Sequence, residues 1–66
     1  MATEEEFCRE FNDAIESGIS VDEIARNLPV GDSTIEKWRR EAPKSEILRN
    51  AMLRELRQFI QKRKET

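Results

Sequence analysis

The 66-residue chain has no histidine and no tyrosine, a single cysteine, two prolines and two glycines. Without histidine, and with only Cys8 to offer a thiolate, the usual zinc ligands and the usual general base are missing. No metal site, no catalytic residue and no enzyme activity is expected. A lone cysteine cannot close a disulfide within one copy, which fits a reducing cytosol. No apolar run approaches the length of about 20 residues that a bilayer requires. The acidic start, Met1 to Glu6, is also unlike the basic opening of a secretory signal. The expectation is a soluble, cytoplasmic protein with no membrane partner. A chain of this size buries only about 60 per cent of its unfolded surface. That allows one small domain over residues 1–66, with no deep cleft for a small-molecule substrate or a cofactor.

What the chain does have is charge, unevenly spread. The formal net charge is −2, yet residues 1–24 carry eight acids (Glu4, Glu5, Glu6, Glu10, Asp13, Glu16, Asp22 and Glu23) against one base, Arg9. Residues 25–66 carry eleven bases against six acids. If the acidic first segment lies on the far side of the fold, the molecule is a dipole with a basic face suited to a phosphate backbone. The plain alternative is that these charges are solvated surface.

The apolar residues fall at helical spacing. Thr3 with Glu6 forms a capping box, and Phe7, Phe11, Ala14 and Ile15 follow as one stripe, ended by Gly18. This predicts a helix over about 4–17. Ser20 with Glu23 repeats the box, flanked by Ile19 and Ile24 as a hydrophobic staple, and predicts a helix from Val21 to about Leu28. Pro29 stops it, because a residue preceding proline is pushed out of the helical region. The next helix has two possible caps, Gly31 and Ser33. Gly31 is preferred, since it pairs Val30 with Ile35 as a second staple and leaves Ser33 pointing outward. That helix is expected over about 32–40, burying Ile35 and Trp38 and clustering Ser33, Glu36, Lys37 and Arg40 on the opposite face.

Pro43 suits the first turn of a fourth helix, expected over about 44–62, with the polar residues after 61 frayed. Its stripe of Leu48, Met52, Leu56 and Phe59 is widened by Ile47 and Ala51 on one side and Leu53 and Ile60 on the other. So wide a stripe is covered either by the first three helices or, in part, by a second copy of the chain. The fold class is therefore all-α, a small bundle of four helices.

Two short capped helices joined by a tight turn, over residues 18–40, have the layout of a helix-turn-helix unit. Ile24 and Ala25 in the second helix, Val30 in the turn, Ser33, Thr34 and Ile35 opening the third, Trp38 near its end, and Pro43, Leu48 and Leu56 beyond it carry a closer likeness. Over about residues 5–57 the chain resembles the lambda-repressor-like (Xre-like) helix-turn-helix family of bacterial and phage regulators. The resemblance implies a cofactor-free transcriptional regulator, such as a repressor, in a bacterial cell or phage-infected host. It would bind double-stranded DNA with helix 32–40 in the major groove, as a homodimer through the C-terminal helix. Ser33, Lys37 and Arg40 match the family's groove-facing positions, with Asp32 and Glu36 on or beside that face. Lys37 and Arg40 would donate to guanine or phosphate, and Glu36 would accept from cytosine. Arg39 is expected on phosphate, as are the helix starts at Val21 and at Lys44 and Ser45, through backbone amides.

The chain departs from the family in two ways. Pro29 stands where the family often has glycine, and proline cannot take a positive φ, so the turn must differ locally. The family also commonly has five helices where four are expected here. Two other readings stay open. Transposase and recombinase DNA-binding domains use similar units, and a helix-turn-helix fold can serve as a protein-interaction module that no longer binds DNA.

Overall fold

Four helices account for most of the chain in the computed structural model, which describes residues 3–65: α1 (Glu4–Glu16), α2 (Val21–Asn27), α3 (Asp32–Trp38) and α4 (Glu46–Glu65). The described residues contain no strand. Local chemistry sets the helix starts. Thr3 Oγ1 accepts from the Glu6 amide at 3.0 Å, and Ser20 Oγ accepts from the Glu23 amide at 3.1 Å. Each bond satisfies one of the donors that a helix N-terminus leaves without a partner. α3 starts at the preferred Gly31, which supplies no side-chain cap. α1 ends where Gly18 takes φ +109°, the one positive φ among the described residues.

The α2–α3 turn is built without any left-handed residue. Leu28 is extended, at φ −105° and ψ 142°, as the residue before a proline should be. The Val30 amide then donates to the Leu28 carbonyl at 2.7 Å, closing a three-residue turn centred on Pro29. This is how the chain turns where a positive-φ glycine is not available.

α4 differs from expectation at both ends. It begins at Glu46 rather than near residue 44, because Ser45 acts as its cap and accepts from the Leu48 amide at 3.2 Å. It runs on to Glu65, past the point where fraying was expected. α2 and α3 also stop one to two residues early, at Asn27 and Trp38: Leu28 is extended before Pro29, whereas Arg39 keeps helical dihedrals as the cap of α3 and the chain passes into a turn over residues 39 and 40.

Phe7, Phe11, Ala14, Ile19, Ile24, Leu28, Ile35, Trp38, Ala42, Leu53 and Leu56 form one buried cluster. At its centre the Trp38 indole meets two phenyl rings edge-on, Phe7 at 5.2 Å and Phe11 at 5.7 Å between ring centroids. Such pairs add about 0.5–1.5 kcal/mol each beyond the area they bury. α4 packs on α1 and α2, burying Leu53 and Leu56 completely, with Met52, Phe59 and Ile60 half-buried. The centre of the buried stripe is thus displaced from the Leu48–Met52–Leu56–Phe59 line that the spacing suggested. The first turn of α4 leaves Ile47 83% and Leu48 41% exposed.

Candidate functional site

α3 is held from beneath and open above. Ile35 and Trp38 are buried, whereas Asp32, Ser33, Glu36 and Lys37 are exposed, together with Arg40 just past the helix end. The predicted outward cluster is therefore assembled on one surface. Ser33 caps nothing in the helix, since the Thr34 and Ile35 amides both donate to the Gly31 carbonyl. Among the described residues Lys37 and Arg40 make no ion pair, which leaves two cations and a hydroxyl on the open face, with Asp32 at the start of the helix.

Arg39 and Glu36 behave differently from these. Arg39 Nη1 donates to Glu36 Oε1 at 3.2 Å, and Arg39 Nε donates to Asn12 Oδ1 of α1 at 3.0 Å. Asn12 Nδ2 donates in return to the Arg39 carbonyl at 3.0 Å. Arg39 is half-buried and engaged within the fold, and it pairs with Glu36 at the surface. Asn12, Glu36, Arg39 and Arg40 line one shallow cleft at the α1–α3 junction. Asn12 escaped the sequence reading, because a carboxamide beside an apolar stripe looks like any solvated residue. The signal that could have found it is the absence of glycine after α3, which leaves carbonyls there in need of a donor.

The remaining expected contacts are placed as follows. Val21 is half-buried and packs against the core, in a first helical turn that also carries Asp22 and Glu23. Lys44 is exposed but lies outside α4, and its carbonyl accepts from Arg49 Nη1 at 3.0 Å. The same guanidinium donates to the Pro43 carbonyl at 2.7 Å and so pins the α3–α4 connection. Ser45 spends its hydroxyl on its own helix.

The acidic half of the chain is not segregated on a far side. Glu4 and Glu5, in the first turn of α1, line a second cleft with Cys8, Arg40, Glu41 and Ala42. Burial pushes the Cys8 thiol above its ordinary pKa, and the carboxylates of Glu4 and Glu41 push it further. Other acids are consumed in cross-helix pairs that the sequence reading did not find. Glu10 binds Arg57 with both carboxylate oxygens, raising the Arg57 pKa mainly through that hydrogen bond, and Glu23 pairs with Arg63. Part of the basic surplus of α4 is thereby neutralised by α1 and α2. The dipole expected from the charge asymmetry is correspondingly weaker, with an acidic rim beside Arg40.

Among the described residues no three histidine, cysteine, aspartate or glutamate side chains converge as metal ligands, and no helix is long and apolar enough to cross a membrane. Compared with protein-family models, with curated proteins and with solved structures, the chain matches none of them.

Proposed function

We propose that this protein is a sequence-specific DNA-binding regulator, in which α2, the Pro29 turn and α3 act as a helix-turn-helix unit of the lambda-repressor-like kind. The observation that carries the reading is the two-sided character of α3. Its inner face is fixed by Ile35 and Trp38, while Ser33, Lys37 and Arg40 stand on the outer side with no ion pair to another described residue. A helix held rigidly beneath and polar above is what major-groove docking uses. In this reading Lys37 and Arg40 donate to guanine edges or phosphates, Ser33 contacts a base or the backbone, and Asp32 disfavours sites that place an acceptor or a phosphate opposite it. One such helix reads too few base pairs to be selective, so the active species is a homodimer on two half-sites.

The test is the double substitution Lys37→Ala with Arg40→Ala. Both side chains are exposed, so the thermal transition should stay within about 0.5 kcal/mol of the parent. DNA affinity should collapse, and the slope of log affinity against log salt should fall by up to about one for each phosphate that the variant no longer neutralises. Unchanged DNA binding by the folded variant would contradict the assignment.

The acidic rim of Glu4, Glu5 and Glu41 beside Arg40, with Ile47 and Leu48 exposed at the start of α4, favours a second reading as a protein-interaction module. Under that reading neither the parent nor the double variant binds duplex above background, and substitutions at Ile47 and Leu48 alter partner binding instead.

A further inference from the structure

We propose that Asn12, a residue of α1 beside the C-terminal end of α3, is the positioning residue that aims the outward face of that helix. We further propose that it withdraws Arg39 from the set of DNA contacts. The inference rests on the DNA-binding reading above and names the part of the fold that holds the reading face in a fixed geometry.

α3 ends without a left-handed residue. It has no glycine past its last turn and no residue there with positive φ, so the common left-handed cap is absent. The Arg39 amide donates to the Ile35 carbonyl, and the Arg40 and Glu41 amides both donate to the Lys37 carbonyl. The Arg39 carbonyl, two residues further on, receives its donor from another helix, through Asn12 Nδ2 at 3.0 Å. The carboxamide oxygen of the same side chain accepts from Arg39 Nε, also at 3.0 Å. One planar group thus grips both the main chain and the side chain of one residue, across a separation of 27 positions. Both bonds are partly buried, which makes leaving either group unsatisfied costly.

Two consequences follow for the outward face. Arg40 is the next residue, so the plane in which its side chain leaves the helix is set by the tethered Arg39 peptide. Arg39, held by Asn12 on one side and Glu36 on the other, commits its Nε and Nη1 donors to bonds within the protein, and Glu36 is paired with a cation where it would otherwise repel phosphate. Asn12 thereby leaves Lys37 and Arg40 as the cations of α3 that are available to a duplex. Aspartate cannot replace it. A carboxylate would keep the Arg39 Nε bond but would set an oxygen against the Arg39 carbonyl, breaking the main-chain grip alone.

The experiment uses the full chain and a duplex that the parent enriches from a random pool. Asn12→Asp should bind that duplex about tenfold more weakly and discriminate less against a single-base-pair variant. Its salt slope should equal the parent's, because every phosphate-binding cation is still present. Arg39→Ala, made in a Glu36→Gln background so that no carboxylate is unmasked, leaves the Asn12 bond to the carbonyl in place and should also keep the salt slope of that background. If Asn12→Asp does not fold, Asn12→Ser is read in its place, together with faster hydrogen exchange at the Arg40 and Glu41 amides. Wild-type affinity and discrimination in a folded Asn12 variant would overturn the positioning role while leaving the DNA-binding reading intact. A salt slope lower by about one on adding Arg39→Ala to that background would show Arg39 on phosphate and overturn its withdrawal. A parent chain that enriches no duplex fails before any variant is made; that result overturns the reading and this inference together, and it is distinct from the other two.

Discussion

At the scale of single residues, Trp38 and Cys8 give the sharpest expectations. Trp38 is 7% exposed and touches both core phenyl rings of α1, so it joins the turn unit to the rest of the molecule. Trp38→Ala should cost about 3–5 kcal/mol, a large part of the stability available to so small a domain. Circular dichroism should show the variant largely unfolded at 25 °C, and a full-strength thermal transition would contradict the packing described. Cys8 bears on pH. Its folded pKa lies above the ordinary thiol value, so the folded state resists ionisation more than the unfolded chain does. The contribution is fully present while the thiol is protonated in both states. It is lost as pH rises from the unfolded pKa, about 8.5, towards the higher folded value. The melting temperature of the parent should therefore fall more steeply above that pH than that of Cys8→Ala.

Residue identities of this kind were only partly legible in the sequence. Phe7, Phe11, Ile24, Ile35 and Trp38 announce themselves as core by helical spacing alone, because burial of large apolar groups dominates the choice of inner face. Asn12, Arg57 and Arg63 do not. Their roles depend on partners that tertiary packing brings up, and no local pattern encodes a carboxamide reaching a main-chain carbonyl, or a guanidinium reaching a carboxylate, on a distant element.

At the scale of elements, capping chemistry made the helix starts readable. The two Ser/Thr boxes placed the starts of α1 and α2, and the staple argument for Gly31 placed the start of α3. Proline misled at α4. Pro43 suggested a start near residue 44, but the Ser45 hydroxyl cap and the Arg49 hook on the Pro43 and Lys44 carbonyls hold residues 43–45 outside the helix. The two glycines supply a paired test. Gly31 has φ −84°, open space where a Cβ would stand, and no cap bond. Gly31→Ser should therefore stabilise the protein, by about 0.5–1 kcal/mol, through a new cap and a less free unfolded chain. Gly18, at φ +109°, also has open space around it, but the backbone itself is strained for any L side chain. Gly18→Ala should destabilise by about 1 kcal/mol or more. Urea denaturation of the two variants gives opposite signs if the backbone account is right.

At the scale of the whole molecule, charge is the quantity that sequence alone described least well. Composition by halves suggests an acidic side and a basic side, yet the fold interleaves them. Glu10 and Glu23 cross to Arg57 and Arg63, and Glu4, Glu5 and Glu41 come to rest beside Arg40. In the DNA-binding reading this rim weakens non-specific attraction to phosphate and forces dependence on base contacts. Glu41→Gln should accordingly raise affinity for random duplex several-fold at low salt, with the gain fading above about 0.15 M as the Debye length shortens to about 8 Å. Electrophoretic mobility shift with a duplex of mixed sequence reads this directly. α4 poses the complementary question. It is about 30 Å long by helical rise, a length close to the 33 Å longest extent of the molecule, and its first turn leaves Ile47 and Leu48 uncovered.

Whether the outward face of α3 reads DNA is decided by selection of bound duplexes from a random pool, followed by affinity for the winner across a salt series. The account predicts an enriched inverted repeat whose half-site spacing reports the dimer geometry, with affinity that falls steeply as salt rises. Failure of any sequence to enrich, with duplex binding at background even at low salt, would contradict it.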